Sequence, residues 1–247
     1  MLQEDTSMLP EHFYFTGAGW FGYVFYVPLA LGLLVLLYAF VVRKIRAKLI
    51  RWPVLAILVI ILLTAPLWQA LSISYQAKSL CKYQGGLHIY KIAHTDGLLG
   101  TSSAFYWAKY GFKYVEHGQY FKNGKYTGKK FRYQVVNGKE KVTTVDKFDS
   151  KFQLKRDEKK IGKYFRKTRY WIEERANNAI LGEYAYFSIY PSFFDGLFLS
   201  VLPVEFNPWM CGNNAPNDEG GRSHERNKNQ YNSEDLVKAT LKPKLDR

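Results

Sequence analysis

Two long apolar stretches dominate the first third of the chain. Residues 20–42 and residues 53–75 each run for 23 positions without a charged side chain. At a helical rise of ~1.5 Å per residue, each stretch is long enough to cross the ~30 Å hydrocarbon core of a bilayer. The pattern therefore predicts two transmembrane helices. Because neither contains an ionisable residue, the pair is typical of an anchor rather than of an ion pathway or transport site.

A second pattern begins near Lys78, where polar and aromatic residues replace the apolar runs. From Lys147 to Lys155, every second side chain is charged or strongly polar. The positions between them are Phe148, Ser150, Phe152 and Leu154, of which three are apolar. Alternation with a period of two predicts a strand with one buried and one solvated face. The dipeptides Asn123-Gly124 and Asn137-Gly138 favour tight hairpin turns. We therefore expect a mainly antiparallel meander of six to eight strands between residues 87 and 190.

These two patterns indicate a membrane protein with a two-helix transmembrane hairpin and a mainly antiparallel β-sheet domain. The apolar segment 193–202 is too short to span a membrane, and it should pack on the sheet or lie at the bilayer surface. The expected organisation is a short N-terminal segment (1–19), the hairpin (20–75), the β-rich domain (76–211) and a polar tail (212–247). The tail should be disordered apart from a short helix capped by Ser233.

The loop between the two apolar stretches predicts their orientation. Residues 43–51 carry five basic side chains, namely Arg43, Lys44, Arg46, Lys48 and Arg51. Short loops rich in Lys and Arg stay in the cytoplasm. Both chain ends and the β-rich domain should therefore lie on the outward side of the membrane.

The chain contains two cysteines, Cys81 after the second apolar stretch and Cys211 before the polar tail. Both lie on the outward side in the expected topology, and an oxidising periplasm would allow them to form a disulfide. Such a bond would close a loop of ~130 residues, which is worth up to about 4–5 kcal/mol in the loop-entropy model. Two unrelated buried thiols are the alternative.

Ligand-type side chains gather only around His88, His94 and Asp96. If they lie on a strand, the two histidines have the same parity and could share a face, but a metal site needs three or four ligands with a recognisable spacing. A turn at Asp96-Gly97 explains the cluster more simply. We expect no cofactor and no metal, because the spacing matches no known ligand set.

Positive charge is concentrated on the expected meander. The chain has a net charge of +14, and residues 109–169 contain 19 Lys or Arg against 6 Asp or Glu. The candidate face for an anionic partner consists of Lys147, Lys151, Lys155 and Lys159. Its partner would be an acidic protein, lipid headgroups or an envelope polymer, whereas nucleic acid is not expected on the outward side. A merely solvated sheet face is the alternative.

The layout of the chain resembles one known group of proteins. The resemblance rests on the helix pair with its basic turn, Cys81, the Gly85 to Lys91 segment (GGLHIYK), the Leu181-Gly182-Glu183 strand and the closing Trp209-Met210-Cys211. In this order the chain resembles uncharacterised bacterial inner-membrane proteins with a periplasmic β-rich domain. The resemblance implies an inner-membrane location with periplasmic ends, and it implies no activity.

Three functions are consistent with these features. The first is a non-enzymatic, membrane-anchored interaction or accessory protein of an envelope complex, with the bilayer and a protein as its partners. The second is an immunity protein that protects against a periplasmic toxin. The third is an envelope enzyme that uses the His88, His94 and Asp96 region.

Overall fold

The computed structural model describes residues 13–40, 42–44, 48–101, 103–120, 126–202, 206–212 and 232–244. The chain divides into two compact units. The first contains the described residues of 1–80, 162–165 and 188–209. The second contains those of 81–161, 166–187 and 210–247.

The first unit is built on two long apolar helices. Helix α1 spans Gly17–Phe40, a short 3-10 helix spans Val42–Lys44, and α2 spans Lys48–Gln84. Both helices are long and apolar enough to cross a membrane, and only 6% and 11% of the residues in their most apolar windows are buried. Large apolar side chains such as Leu29 and Trp52 are exposed. The core helix of a water-soluble domain would instead be covered by protein.

A proline in α2 explains how the two helices contact each other. Pro66 has no amide hydrogen, so the carbonyl of Leu62 lacks the helical donor that it would otherwise have. The Tyr26 hydroxyl of α1 donates a hydrogen bond to this carbonyl at 2.8 Å, and the Tyr23 hydroxyl donates to the Leu63 carbonyl at 2.9 Å. The neighbouring helix therefore supplies the donors at the site where the proline interrupts the hydrogen-bond ladder.

Helix α4 packs on α1 within the first unit and spans Phe193–Val201. The ring of Phe198 lies against Gly22, where any Cβ would collide with it, and the ring of Phe194 lies 5.6 Å from that of Tyr26. The buried Asp195 accepts hydrogen bonds from the amide and the hydroxyl of Thr16, directly before α1. The sequence predicts that this apolar segment either packs on the sheet or lies at the bilayer surface. In the structure it packs on α1 rather than on the sheet.

The second unit contains most of a large mixed sheet. The described residues of the chain form eleven strands, of which nine belong to this sheet while β2 and β11 form a second, two-stranded sheet. The strands are β1 (Gly86–Ile89), β2 (Ala93–Thr95), β3 (Gly97–Leu99), β4 (Tyr114–Tyr120), β5 (Tyr126–Val136), β6 (Lys139–Thr144), β7 (Phe152–Ile161), β8 (Phe165–Glu174), β9 (Ala179–Ile189), β10 (Trp209–Cys211) and β11 (Leu241–Pro243). The strand order is β1-β9-β8-β7-β3-β4-β5-β6, and β10 also pairs with β9. Two antiparallel meanders, β4-β5-β6 and β7-β8-β9, are thus separated by β3.

The expected all-meander sheet is therefore only partly correct. Strand β3 runs parallel to both of its neighbours, β4 and β7. A parallel pair needs a crossover, and helix α3 (Ala104–Ala108) lies between β3 and β4 in the chain. Of the two expected hairpin turns, Asn137-Gly138 is confirmed, since both residues have a positive φ and link β5 to β6. Asn123-Gly124 lies outside the described residues.

A buried carboxylate explains why β7 begins later than the alternation predicted. The side chain of Glu116 on β4 is fully buried and accepts hydrogen bonds from the Asp149 amide at 3.2 Å and the Ser150 amide at 2.8 Å. These two amides are used by a side chain instead of a strand ladder. The strand expected over Lys147 to Lys155 therefore starts only at Phe152.

The end of the polar tail folds into the core, contrary to the expectation of disorder. Helix α5 (Ser233–Thr240) follows Asn232, whose side chain accepts hydrogen bonds from the amides of Glu234 and Asp235. The predicted helix exists, but its cap is Asn232 rather than Ser233. Leu236 and Val237 are fully buried, and β11 pairs in parallel with β2. Residues 213–231 of the tail lie outside the described residues.

Helices α3 and α5 supply the apolar cover of one sheet face. Their buried side chains pack with those of the sheet in one cluster, which includes Trp107, Leu236, Val237, Leu98, Val115, Phe152, Ile172 and Tyr184. The opposite face carries a row of paired charges, described below.

Candidate functional site

The two cysteines meet at the edge of the sheet. Cys81 lies in the last turn of α2 and Cys211 ends β10. Their Cα atoms are 5.6 Å apart and their sulfur atoms lie at disulfide distance, across a sequence separation of 130 residues. The expected pairing of Cys81 with Cys211 is therefore confirmed as a geometry.

The histidine and aspartate cluster does not assemble a shared site. His88 lies on β1 of the large sheet, whereas His94 lies on β2, which pairs with β11 in a separate sheet. The two histidines therefore lie on different strands and do not share a strand face. Within the described ranges, no group of three or more His, Cys, Asp or Glu side chains is placed to hold a metal ion.

Asp96 has a structural role in this arrangement. Its carboxylate lies 3.1 Å from Lys244 Nζ and 3.4 Å from Lys113 Nζ. The hydrogen bond from Lys244 is the main cause that lowers the pKa of Asp96 from its usual value. Asp96 thus ties the C-terminal strand to β4, which fits the turn interpretation better than a catalytic role.

The four lysines of the candidate face lie along β7 and the segment before it. Lys147 and Lys151 are exposed ahead of the strand, Lys155 is half-buried within it, and Lys159 is exposed near its end. Because alternate residues of a strand point the same way, Lys155 and Lys159 share one face. We call the four together the lysine band, of which two members share a face of β7 and two precede it in the chain.

Lys155 differs from the other three because it is already paired. Its Nζ lies 2.6 Å from Glu173 Oε1 on β8, and the Trp171 indole donates to Glu173 Oε2 at 3.1 Å. The hydrogen bond from Lys155 is the main cause that lowers the pKa of Glu173. The row continues across the same face, since Arg169 stacks on Trp171 and also pairs with Glu183 of β9.

A gap opens in the sheet beside this row. It lies beyond the end of β3, between His117–Gly118 of β4 and Leu154–Arg156 of β7, and encloses a cavity of about 320 Å³. Trp171 and Phe148 also line it. We call this feature the sheet gap. Sequence reasoning missed it because β3 has only three residues, too few to produce a recognisable periodicity.

A buried carboxylate and its ion pair lie beside the β4 wall of the sheet gap. Arg132 on β5 donates to Glu116 Oε1 from Nη2 at 2.7 Å and from Nε at 3.1 Å, and it also pairs with Asp149. The same guanidinium lies 4.6 Å from the ring centre of Tyr114. Glu116 immediately precedes the His117–Gly118 wall. A charged residue next to Val115 in a strand was the only sequence signal for this cluster.

The basic loop that predicts topology is described in part. Arg43 and Lys44 lie in the 3-10 helix and are exposed, and Lys48 and Arg51 belong to the first turn of α2. The Arg51 guanidinium donates to the Arg43 carbonyl at 2.9 Å and lies 5.6 Å from the ring centre of Tyr38. Arg46 lies outside the described residues.

Comparison with protein-family models, with curated proteins and with solved structures gives no match for this chain. The resemblance to bacterial inner-membrane proteins therefore stays a prediction.

Proposed function

We propose that this chain is a non-enzymatic, membrane-anchored interaction protein of the bacterial inner membrane, which presents a basic periplasmic β-domain to an acidic partner in an envelope complex. The observation that carries the proposal is the lysine band along β7. The domain that carries this band is joined in the chain to the exposed apolar helix pair. A cationic band attracts acidic proteins and anionic headgroups alike.

The exposed apolar surface of the first unit supports the anchoring part of the proposal. Lipid is the solvent that tolerates large exposed apolar side chains on a helix whose backbone groups are satisfied internally. Trp52 and Trp68 are both 71% exposed, near the two ends of the apolar part of α2. Tryptophan is enriched at membrane interfaces, so these two rings are suited to the two headgroup regions.

Helix α4 extends this apolar surface. Its exposed side chains Phe193, Leu197 and Val201 are spaced by four residues and so form one stripe, opposite the face that packs on α1. Lys163 Nζ lies 5.7 Å from the ring centre of Phe193. An apolar stripe with a lysine beside it suits the outer headgroup region, where the stem of Lys lies along apolar surface and its amine reaches phosphate.

The basic loop supports the orientation. The exposed Arg43 and Lys44 between the two helices favour a cytoplasmic turn, and the ends of the chain would then be periplasmic. An oxidising periplasm is also the compartment in which the Cys81–Cys211 pair would persist as a disulfide.

A binding assay with matched charge reversals tests the function. The full-length protein, held in neutral phosphatidylcholine nanodiscs, is titrated with polyglutamate and with phosphatidylglycerol vesicles. The variant reverses Lys147, Lys151 and Lys159 to Glu, and it spares Lys155 because a glutamate there would face Glu173. The control reverses Lys129, Lys139 and Lys141, which are also exposed but lie on β5 and β6.

The β7 variant should bind at least about tenfold more weakly than the parent, because each lysine near an anionic surface contributes about 1 kcal/mol. Its binding should also depend less on salt concentration. The control should lose much less affinity. Equal losses in both variants, or no loss in either, would show that the band is merely solvated.

A further inference from the structure

The sheet gap has the width of one strand. Strand β3 is hydrogen-bonded to β4 on one side and to β7 on the other, so these two strands are two strand spacings apart, or ~9.6 Å. Strand β3 ends at Leu99, whereas β4 continues to Tyr120 and β7 continues to Ile161. Beyond Leu99, β4 and β7 therefore flank a space that a single extended segment would fill.

Gly100 explains why the chain itself does not fill this space. Its φ is +112°, and a Cβ at this position would lie 2.5 Å from the Leu154 carbonyl oxygen. This backbone conformation is open to glycine and strained for other residues. The chain turns out of the sheet here and continues into α3, so β3 stops abruptly beside two longer strands.

Main-chain groups on the β4 side point into the sheet gap. The Gly100 amide donates to the Glu116 carbonyl at 2.8 Å, so Glu116 directs its carbonyl towards β3. Alternate residues of a strand direct their amides and carbonyls to the same side. Gly118 therefore directs its amide into the sheet gap, just before the irregularity that separates it from Tyr120, and it has no side chain to obstruct an incoming segment.

The β7 side repeats this arrangement. Leu99 is the residue of β3 that pairs with β7, opposite Gln153. The close approach of Gly100 to the Leu154 carbonyl shows that this group faces the line of β3. By the same alternation, Arg156 directs its amide and carbonyl into the sheet gap. Both walls thus offer the ladder positions that a strand needs.

The side chains around the sheet gap define the charge of its occupant. Lys155 lines the sheet gap and lies on the same face of the sheet as Trp171. Arg156 is the next residue of β7, so its side chain points to the opposite face. The Arg156 guanidinium is more than half exposed, and its Nη2 lies 3.9 Å from Glu158, a loose pair. A carboxylate on an inserted strand that points to the Arg156 face would reach this exposed guanidinium, whereas Lys155 on the other face is already held by Glu173.

We propose that the sheet gap binds an extended acidic segment of a partner protein, which continues the line of β3 between β4 and β7. The inference rests on the proposed function and names the form in which the partner is recognised. Main-chain hydrogen bonds on both edges supply affinity, as in other strand-addition complexes, and the exposed guanidinium of Arg156 selects an acidic residue. Lipid headgroups have no strand edges and would not use this site.

Backbone-methylated peptides separate strand insertion from simple charge attraction. The probe is a synthetic peptide with a central Glu-Asp pair flanked by Val and Thr residues, titrated against the full-length protein in neutral nanodiscs. Two further peptides carry the same side chains but are N-methylated at one or the other set of alternate residues. An inserted strand uses both of its edges, so each methylated peptide should bind at least about tenfold more weakly. Equal binding of all three peptides would overturn strand insertion and leave the proposed function standing.

A charge variant and hydrogen exchange locate the site. Arg156→Gln should weaken the unmethylated peptide about fivefold, whereas Lys139→Gln, an exposed charge on the edge strand β6, should leave its binding within about twofold. Bound peptide should slow amide exchange at Gly118 and Arg156. Failure of the peptide to bind, or binding without protection of these amides, would overturn the inference. Polyglutamate and vesicle binding in the earlier assay would still report on the proposed function independently.

Discussion

The helix pair and the sheet domain differ in which side chains they expose and in how their buried polar groups are paired. In the helix pair, apolar side chains are exposed, and the carbonyl that Pro66 leaves without its donor receives a hydroxyl from Tyr26. In the sheet domain, apolar side chains are buried, and a full charge on Glu116 lies inside with Arg132 and two backbone amides as its donors. The difference supports the proposal that one region faces lipid and the other faces water.

The largest effect should come from removing the buried carboxylate of the sheet domain. Glu116→Ala removes the acceptor of the Asp149 and Ser150 amides and leaves Arg132 with only the more exposed Asp149 as its partner, so it should cost about 3–5 kcal/mol of unfolding free energy. Denaturant unfolding of the purified protein measures this. The matched variant Glu158→Ala removes a carboxylate whose pair with Arg166 is exposed, and it should change stability by at most about 1 kcal/mol. Similar losses in both variants would contradict the structural role of Glu116.

A core truncation in the polar tail should have the next largest effect. Leu236 is fully buried in the cluster that covers the sheet, so Leu236→Ala should destabilise the domain by about 2–5 kcal/mol. Lys242→Ala, at an exposed position of β11, is the control and should be nearly neutral. A neutral Leu236→Ala would mean that the tail contributes nothing to the core.

In the helix pair, the loss of one hydroxyl should have a smaller effect. Tyr26→Phe removes the donor to the Leu62 carbonyl, and interhelical hydrogen bonds in membranes contribute about 0.6–2 kcal/mol. Unfolding in mixed micelles by added denaturing detergent measures the change. Tyr38→Phe, a matched substitution in α1 beside Arg51, should be close to neutral. Equal changes in stability for Tyr26→Phe and Tyr38→Phe would contradict the role of the Tyr26 hydroxyl as the donor that Pro66 lacks.

The smallest expected effect is a dependence on pH at Asp96. Because its pKa is lowered in the folded protein, the ionised form stabilises the fold at pH values above the usual carboxyl pKa of ~4. This contribution should be lost as the pH falls through the lowered pKa. The stability difference between the parent and Asp96→Asn should therefore shrink on acidification. A difference that stays constant with pH would show that the pairs with Lys113 and Lys244 contribute nothing.

Local signals predicted the elements, and long-range contacts decided their arrangement. Uncharged runs predicted the two helices, and Asn137-Gly138 predicted a hairpin, because each signal is contained in a few neighbouring residues. The ion pair between Glu116 and Arg132 joins residues on different strands, so the charged residue beside Val115 gives no indication of its partner. The burial of Leu236 and Val237 was likewise not predictable from neighbouring residues, because this apolar pair stands in a mainly polar tail and its contacts are distant in the sequence.

The candidate site was predictable only in its charge. The excess of lysine and arginine between residues 109 and 169 indicated a basic surface, and the structure places Lys155 and Arg156 at the sheet gap. The gap itself depends on where β3 ends relative to β4 and β7. That ending depends on the φ of Gly100 and on its distance from Leu154, which only the folded chain defines.

Topology is the most direct test of the account that one region faces lipid and the other faces periplasmic water. Reporters that are active only in the cytoplasm and reporters that are active only in the periplasm are inserted after Lys44 and fused after Arg247. The account predicts cytoplasmic activity at Lys44 and periplasmic activity at Arg247. The reverse pattern, or cytoplasmic activity at both positions, would contradict it.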